Sequence, residues 1–361
     1  MRTRTTVILA VLGAAVLALG VLYGSGPRER TQASAQAQSA FPDLVAKLAA
    51  ATQIEITHKG LTLHLSRPDN DAPTWGVADR GGYPAQQDKV HELLTGLTEL
   101  RLAEPRTSDP ASYARLGVED PAAKGADSTL VRVLDGRGGV VAALVVGHAR
   151  ASQHGDVDTL YVRRPDAAQA WLADGRITAT AESQDWLDRD IINVDPAKIA
   201  TDVVTRGDAT LTFGRADGAF TLTAPADHPK LDDLKVQEVN RMLADLTLED
   251  VKPAPAPGTP VGRAVITTTD GITVTVAASK SGPELWATFA ADGKDSAALA
   301  AKLKGWAYLI GSWKEQALVP TLDNVKAPPP PAPPAAAPPA ATAPAPALPP
   351  VSVPPPASDA K

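Results

Sequence analysis

The stretches Leu61-Thr62-Leu63-His64-Leu65 and Ala209-Thr210-Leu211-Thr212-Phe213 alternate apolar and polar side chains with the period of two that a half-buried strand requires. Their downstream neighbours are alike. After the first, a loop leads to Trp75-Gly76-Val77, then Tyr83-Pro84, then a helical run. After the second, a shorter loop leads to Phe220-Thr221-Leu222, then His228-Pro229, then another helical run. Val90, Leu93, Leu94, Leu97 and Leu100 mark one buried helix face by their i, i+3, i+4, i+7 spacing, and Val239, Met242, Leu243 and Leu246 repeat it. Each helix returns to an extended segment, near Leu102 and near Val251.

The likeness continues through a hairpin. Leu130-Val131-Arg132-Val133 turns at Asp135-Gly136 toward Val140 to Val146, and Val265-Ile266-Thr267-Thr268 turns at Asp270-Gly271 toward Ile272 to Val276. Asp-Gly is a turn signal because glycine takes positive φ at no steric cost. A third strand comes next in each copy, Leu160-Tyr161-Val162-Arg163 and Leu285-Trp286-Ala287-Thr288. Shorter helices are expected near Ala167 to Ala173 and Ser296 to Leu309, with Trp186 and Trp306 marking equivalent passages from helix to strand. The expected fold class is α+β: a tandem repeat of two antiparallel-sheet units, each with a packed helix. One sheet continuous across residues 193–200 is the other arrangement the pattern permits.

The ends read differently. Val7 to Tyr23 is a run of 17 uncharged residues, as a helix about 26 Å long, near the thickness of a thin bilayer core. Arg2 and Arg4 precede it, and Arg28 and Arg30 beyond it are offset by Glu29, so the positive charge favours an inside amino terminus. Ala33-Ser34-Ala35 and Ala35-Gln36-Ala37 fit a signal-peptidase site but stand far from the apolar run, which points to an uncleaved signal anchor. Of the 33 prolines, 15 fall between Ala327 and Lys361, where only Asp359 and Lys361 are charged. Such a segment cannot build a core, and polyproline II is its expected conformer, as a solvated tail or a semi-rigid arm. The expected organisation is a cytoplasmic N-terminus 1–6, a transmembrane signal anchor 7–23, a linker 24–52, repeat unit one at 53–198, repeat unit two at 199–322, and a disordered Pro/Ala-rich tail at 323–361.

Composition removes several classes of activity. A net charge of −6 without a basic, aromatic-studded run argues against nucleic acid. The absence of cysteine excludes disulfides, thiolate nucleophiles and zinc-thiolate sites. His91-Glu92-Leu93-Leu94-Thr95 begins like a zinc-peptidase helix, but Thr95 stands where the second imidazole belongs. His58 with His64, and His148 with His154, are pairs six residues apart with no carboxylate pattern to complete a metal set. Gly136-Arg137-Gly138-Gly139 joins two strands and opens no helix, so it reads as a hairpin turn and not as a phosphate loop. Asp69-Asn70-Asp71 lacks the glycine and distal glutamate of a calcium loop. Asp185, Asp188 and Asp190, around Trp186, form the densest acidic cluster. It reads as a salt-bridged helix end before it reads as an acid and base pair for sugar chemistry. No catalytic, cofactor-binding or metal-binding residue is assigned, and no cofactor is expected.

Several spaced motifs carry a family likeness. They are Trp75, Tyr83-Pro84-Ala85 before the Leu-rich helix, and Tyr113-Ala114-Arg115-Leu116-Gly117-Val118-Glu119-Asp120-Pro121. Gly147, Leu160-Tyr161-Val162-Arg163 and Asp185-Trp186-Leu187-Asp188-Arg189 complete the set. Over roughly Ile54 to Leu318 the chain resembles the bacterial domain of unknown function numbered 4340. The resemblance implies a single-pass envelope protein associated with ABC-type transport systems similar to gliding-motility auxiliary components, and it brings no catalytic residues. The resulting expectation is a non-enzymatic protein of the bacterial inner membrane with its bulk in the periplasm. It would have one N-terminal helix in the membrane, protein partners in an envelope or ABC-type transport complex, and no nucleic-acid partner. The rival expectations are a periplasmic glycan- or small-ligand-binding module and a carboxylate-dependent cell-wall hydrolase.

Overall fold

The computed structural model describes residues 38–68, 74–150 and 158–328. The apolar run 7–23, the tail from residue 329, the Asp69-Asn70-Asp71 turn and His154 lie outside them. Among the described residues no helix is long and apolar enough to cross a membrane.

The fold is α+β, with antiparallel sheets and few helices. The first sheet is built from β1 (Gln38–Ser39), β2 (Ala51–His58), β3 (Leu61–Ser66), β4 (Gly76–Val77), β5 (Tyr83–Pro84), β6 (Arg101–Thr107), β7 (Thr129–Asp135), β8 (Val140–Arg150), β9 (Thr159–Arg163) and β10 (Ala170–Asp174). After β11 (Asp190–Ile192), the second sheet takes β12 (Ile199–Arg206), β13 (Ala209–Ala216) and β14 (Ala219–Ala224). Past the short β15 (Leu246–Thr247), it adds β16 (Asp250–Pro253), β17 (Thr259–Thr268), β18 (Ile272–Ser281), β19 (Glu284–Gly293) and β20 (Trp306–Ile310). The helices are α1 (Leu44–Leu48), α2 (Gln87–Glu99), α3 (Asp233–Asn240), α4 (Ala297–Leu303), α5 (Glu315–Leu318) and α6 (Leu322–Val325).

The first sheet runs β1-β6-β10-β9-β8-β7-β2-β3-β4-β5, and the second, read from its far edge, runs β16-β20-β19-β18-β17-β12-β13-β14. Strand for strand, the second repeats the first from β6 to β4. The registers agree as well as the order. Ile54 stands opposite Leu65 and Val133, while Asp202 stands opposite Phe213 and Ile266. Ile56 pairs with Leu63 and Val131, and Val204 with Leu211 and Ala264. Even the irregularity recurs, between Ala51 and Gln53 and between Ile199 and Thr201.

Several expectations give way to the observed structure. Ala167 to Ala173 is no helix; it is a turn followed by β10, because pairing with β9 and β6 outweighs the helix preference of its alanines. Only Ala297–Leu303 of the Ser296 to Leu309 stretch is helical, and Trp306 opens β20. Trp186 lies in a 3₁₀ turn (Ser183–Trp186) outside both large sheets, so it is not the counterpart of Trp306; the strand equivalent to β20 is β10. The two large sheets are separate across residues 193–200. Residues 38–52, read as linker, form β1, α1 and the start of β2, with Ala40, Leu44 and Ala51 buried. Residues 323–328, read as tail, complete α6 and bury Val325. In the first hairpin the positive φ falls at Gly138 rather than Gly136, because the turn is longer; in the second it falls at Gly271.

Helix α2 buries Val90, Leu93 and Leu97, with Leu100 just beyond it and Leu94 half-buried. The shorter α3 ends at Asn240; Met242 and Leu243 enter the core from the turn beyond it, and Leu246 from β15. One continuous cluster of buried side chains runs through both sheets.

The register exposes one anomaly in that core. Asp202 occupies the place that Ile54 fills in the first sheet; it is fully buried, and neither carboxylate oxygen has a hydrogen-bond partner. Burial pushes its pKa up to about 8. An unfolded aspartate titrates near 4, so below that pH both states hold the proton and Asp202 exacts no ionisation cost. As pH rises from about 4 toward 8 the unfolded state releases the proton first, and stability falls. Asp202→Ile, which restores the residue type of the first sheet, is expected to raise stability at pH 8 by about 2 kcal/mol or more. The gain should be smaller at pH 4.5. Asp202→Asn should flatten the pH slope over that interval; urea unfolding at both pH values checks this, and an unchanged slope in both variants would place the titrating group elsewhere.

Candidate functional site

His58 and His148 both approach the segment from Asp127 to Thr129, while His64 and His91 stand apart. His91 sits on the exposed side of α2 with Thr95 beside it, 3.5 Å away. On β2, His58 Nδ1 lies 3.1 Å from the Ser128 carbonyl oxygen, whereas His64 on β3 pairs with Asp79 at 2.9 Å. His148 lies 3.7 Å from Asp127. Among the described residues, no three histidine, aspartate or glutamate side chains are grouped so as to hold a metal ion. At the glycine-rich hairpin, the Arg137 and Gly139 amides donate to the Asp135 carboxylate at 2.8 and 2.7 Å. Those bonds hold its pKa below the usual carboxylate range.

Three of the motifs behind the family likeness, at 113–121, Gly147 and 160–163, build a clamp on the first sheet. Asp109 caps the 3₁₀ turn Pro110–Arg115, its carboxylate accepting from the Ala111 amide at 3.1 Å. Tyr113 at its end donates its hydroxyl to the Ala168 carbonyl. The buried Arg163 on β9 lies over the Tyr113 ring at 4.8 Å and donates to the carbonyls of Val118, Arg164, Pro165 and Ala167. Gly147 has no room for a side chain, since a Cβ there would stand 2.3 Å from the Leu116 oxygen. The His148 amide bonds that same oxygen at 3.0 Å. These residues fasten loop 109–121 to β8 and β9.

A different kind of surface lies on the second unit. Trp313 and Leu234 are 74% and 75% exposed, and they flank a groove of about 800 Å³ between α3 and α5. Its floor includes the buried Met242, and its rim carries Gln237, Glu238, Arg241, Lys314 and Gln316. Both walls are fixed. Glu315 of α5 is held by Arg206 and Lys280 at 2.7 Å each, and hydrogen bonds led by that from Lys280 keep its pKa low. Asp232 caps α3 by accepting from the Leu234 amide at 2.9 Å. The Trp313 indole lies against Gly311, where a Cβ would stand 2.4 Å from Nε1, and Lys314 Nζ sits 4.8 Å from its ring centroid. Sequence reading did not single out Trp313. The one signal for it was its position after the last repeated strand, outside any alternating or helical apolar pattern.

The acidic cluster lies between the two sheets, and its backbone carries most of its contacts. The amide of Gln86 donates to the Trp186 carbonyl, Asp188 to Pro84 and Leu248 to Arg189, at 2.7 to 2.9 Å. β11 pairs with β15 immediately after. Trp186 is fully buried and donates Nε1–H to the Thr180 carbonyl at 2.9 Å. Asp188 Oδ1 accepts the Asp190 amide, and its other oxygen lies 3.8 Å from Lys302 Nζ. Beside this strap, Arg80 donates to both oxygens of Asp250 at 2.7 and 3.3 Å, and Gln184 donates to Asp250 at 3.3 Å. Burial works against the Asp250 charge, but bonds from Arg80, the Val251 amide and Gln184 outweigh it and hold the pKa below the usual range. Tyr83 meets Trp306 and Tyr308 edge-on at 5.1 and 6.1 Å. Burial raises the pKa values of both tyrosines, Tyr308 to about 12, so both hydroxyls stay protonated at neutral pH. Arg80→Ala leaves Asp250 without its main partner and is expected to cost roughly 1–3 kcal/mol, discounted for partial exposure. Arg80→Met with Asp250→Leu should cost less than Arg80→Ala alone. Because the Asp250 pKa is depressed, wild type should lose the contribution of this pair as pH falls below about 4, and the double variant should not. Urea unfolding between pH 3 and 7 measures both effects.

No curated protein matches the chain. The model of one protein family, described as Domain of unknown function (DUF4340), matches residues 75–261. That span covers more than half of the chain, from Trp75 through the Arg163 clamp and the strap at 185–190 into β17. The chain therefore belongs to the DUF4340 family.

Proposed function

We propose that this protein is a non-enzymatic, membrane-anchored scaffold of the bacterial envelope, an accessory subunit of an ABC-type transport or envelope complex. The anchor is Val7 to Tyr23, and the bulk of the chain lies in the periplasm. Its body is a tandem duplication, in which matched strand order and matched register mark two copies of one unit. The Pro/Ala-rich segment extends from it as an arm.

The observation that carries this reading is the way chain direction and core combine. The described chain enters at β1, on the edge of the first sheet, and leaves from the second unit, where the Ala327 amide bonds the Lys230 carbonyl at 2.8 Å. Between these points one continuous core joins the sheets. The points where the chain enters at β1 and leaves at Ala327 are thereby held at a fixed separation, which supports a scaffold that links an anchor to an arm. Family membership assigns no reaction.

Two measurements test the proposal. Reporter fusions after Ser39 are expected to be active for an exported enzyme and silent for a cytosolic one; the reverse pattern would end the reading. Crosslinking in native membranes is expected to give adducts with the membrane subunits of a transport complex. Adducts confined to soluble periplasmic proteins, or none at all, would argue for a ligand-binding module instead.

A further inference from the structure

The groove between α3 and α5 has a chemical bias. Its rim is richer in donors than in acceptors: the Trp313 indole N–H, Arg241 and Lys314 only donate, Gln237 and Gln316 can donate or accept, and none of these side chains has a hydrogen-bond partner among the described residues. The one carboxylate on the rim, Glu238, is engaged by Lys235 at 3.0 Å. An occupant that fits is apolar on its faces and rich in acceptors, with few donors of its own. A proline-rich strand has that character, because proline has no N–H and polyproline II leaves every carbonyl unpaired. Aromatic-lined grooves take such strands by packing proline rings on the indole.

The same chain supplies this segment at the groove's edge. The Asp232 amide bonds the Val325 carbonyl and the Ala327 amide bonds Lys230, each at 2.8 Å. The chain therefore passes residue 327 only four residues ahead of Leu234 on the groove wall. The next seven residues are Pro328-Pro329-Pro330-Pro331-Ala332-Pro333-Pro334. Seven residues of polyproline II extend about 22 Å, and the eight residues of α3 span about 12 Å, so the segment is long enough to cover the groove.

We propose that Pro328 to Pro334 seats in the groove between α3 and α5, its rings on Trp313 and Leu234 and its carbonyl oxygens accepting from the rim. The rest of the tail then leaves in one direction, as an aimed arm. The proposal deepens the scaffold reading and rests on it only for the arm's purpose.

The test uses the full chain in detergent, labelled with 5-fluorotryptophan, with Trp313→Phe assigning the Trp313 fluorine signal. Changing Pro328, Pro329, Pro330 and Pro331 together to glycine should shift that signal and raise its solvent-isotope effect to that of an exposed indole. A synthetic peptide of residues 327–340 added to this variant should restore the wild-type signal saturably, and Leu234→Asp should abolish the restoration without altering the melting temperature. An identical Trp313 signal in wild type and the glycine variant would overturn the proposal. So would protection that appears only at high protein concentration, which would assign the groove to a second copy, or only with the transport subunits present, which would assign it to them. Crosslinks to those subunits alongside an unchanged Trp313 signal would leave the scaffold reading standing while this inference falls.

Discussion

The half-buried pairing of Arg80 with Asp250 is the constraint on which the arrangement of the two sheets depends. Each residue lies in a short element at the margin of its own unit, and Gln184 adds a bond to Asp250 across the same seam. Such a pair gives little net stability, because desolvating both charges offsets most of their attraction. What it supplies is a fixed geometry: a guanidinium that meets both oxygens of one carboxylate has few acceptable orientations. The apolar partners Tyr83, Trp306 and Tyr308 supply area, and the strap from Asp185 to Ile192 supplies backbone bonds on both sides. The polar pair sets the register of the seam, and the rings and strap hold it.

The two large sheets share a strand order yet differ in their helices and in one core position. The first unit keeps a thirteen-residue α2 with a polar outer face of Asp88, His91, Glu92 and Glu99. The second unit has an α3 of eight residues, and the C-terminal helices α5 and α6 pack against it. That substitution of separate short helices for a longer one leaves a groove between them, and there Leu234 and Trp313 stand exposed. Asp202 stands where Ile54 stands in the first sheet. The unpaired carboxyl makes the contribution of this part of the core fall as pH rises.

Much of the architecture is legible in the sequence because it is local. Alternation in β3 and β13, the spacing on α2 and the Asp-Gly turns each lie within about ten residues and obey simple periodicities. The Ala167 to Ala173 stretch misleads for the opposite reason. Its alanines favour a helix, yet Ala170–Asp174 is held between two strands that arrive from positions remote in sequence. Arg80 and Asp250 are separated by 170 residues, and nothing around either one announces the other. Trp313 is illegible for another reason: a tryptophan in sequence suggests a core, and only the surrounding packing reveals one left in solvent. The motifs of the family likeness were legible as a pattern, but the role of three of them as a clamp around Arg163 required the fold.

The placement of the chain's two exits explains why a seam this elaborate is worth keeping. β1 pairs with β6 at the edge of the first sheet, and Ala327 is bonded to Lys230 on the second unit. In the proposed scaffold, force between an anchor before β1 and an arm after α6 would pass through both units and across their junction. A junction held by apolar area alone could slide, because hydrophobic contact is not directional. Backbone bonds at Pro84, Trp186 and Arg189 and the two-point contact at Asp250 resist sliding as well as separation. The acidic strap, which in sequence reads first as a salt-bridged helix end, is a 3₁₀ turn that runs into the short strand β11. Its amides and carbonyls are engaged on both sides of the seam, and Asp188 accepts the Asp190 amide and lies 3.8 Å from Lys302.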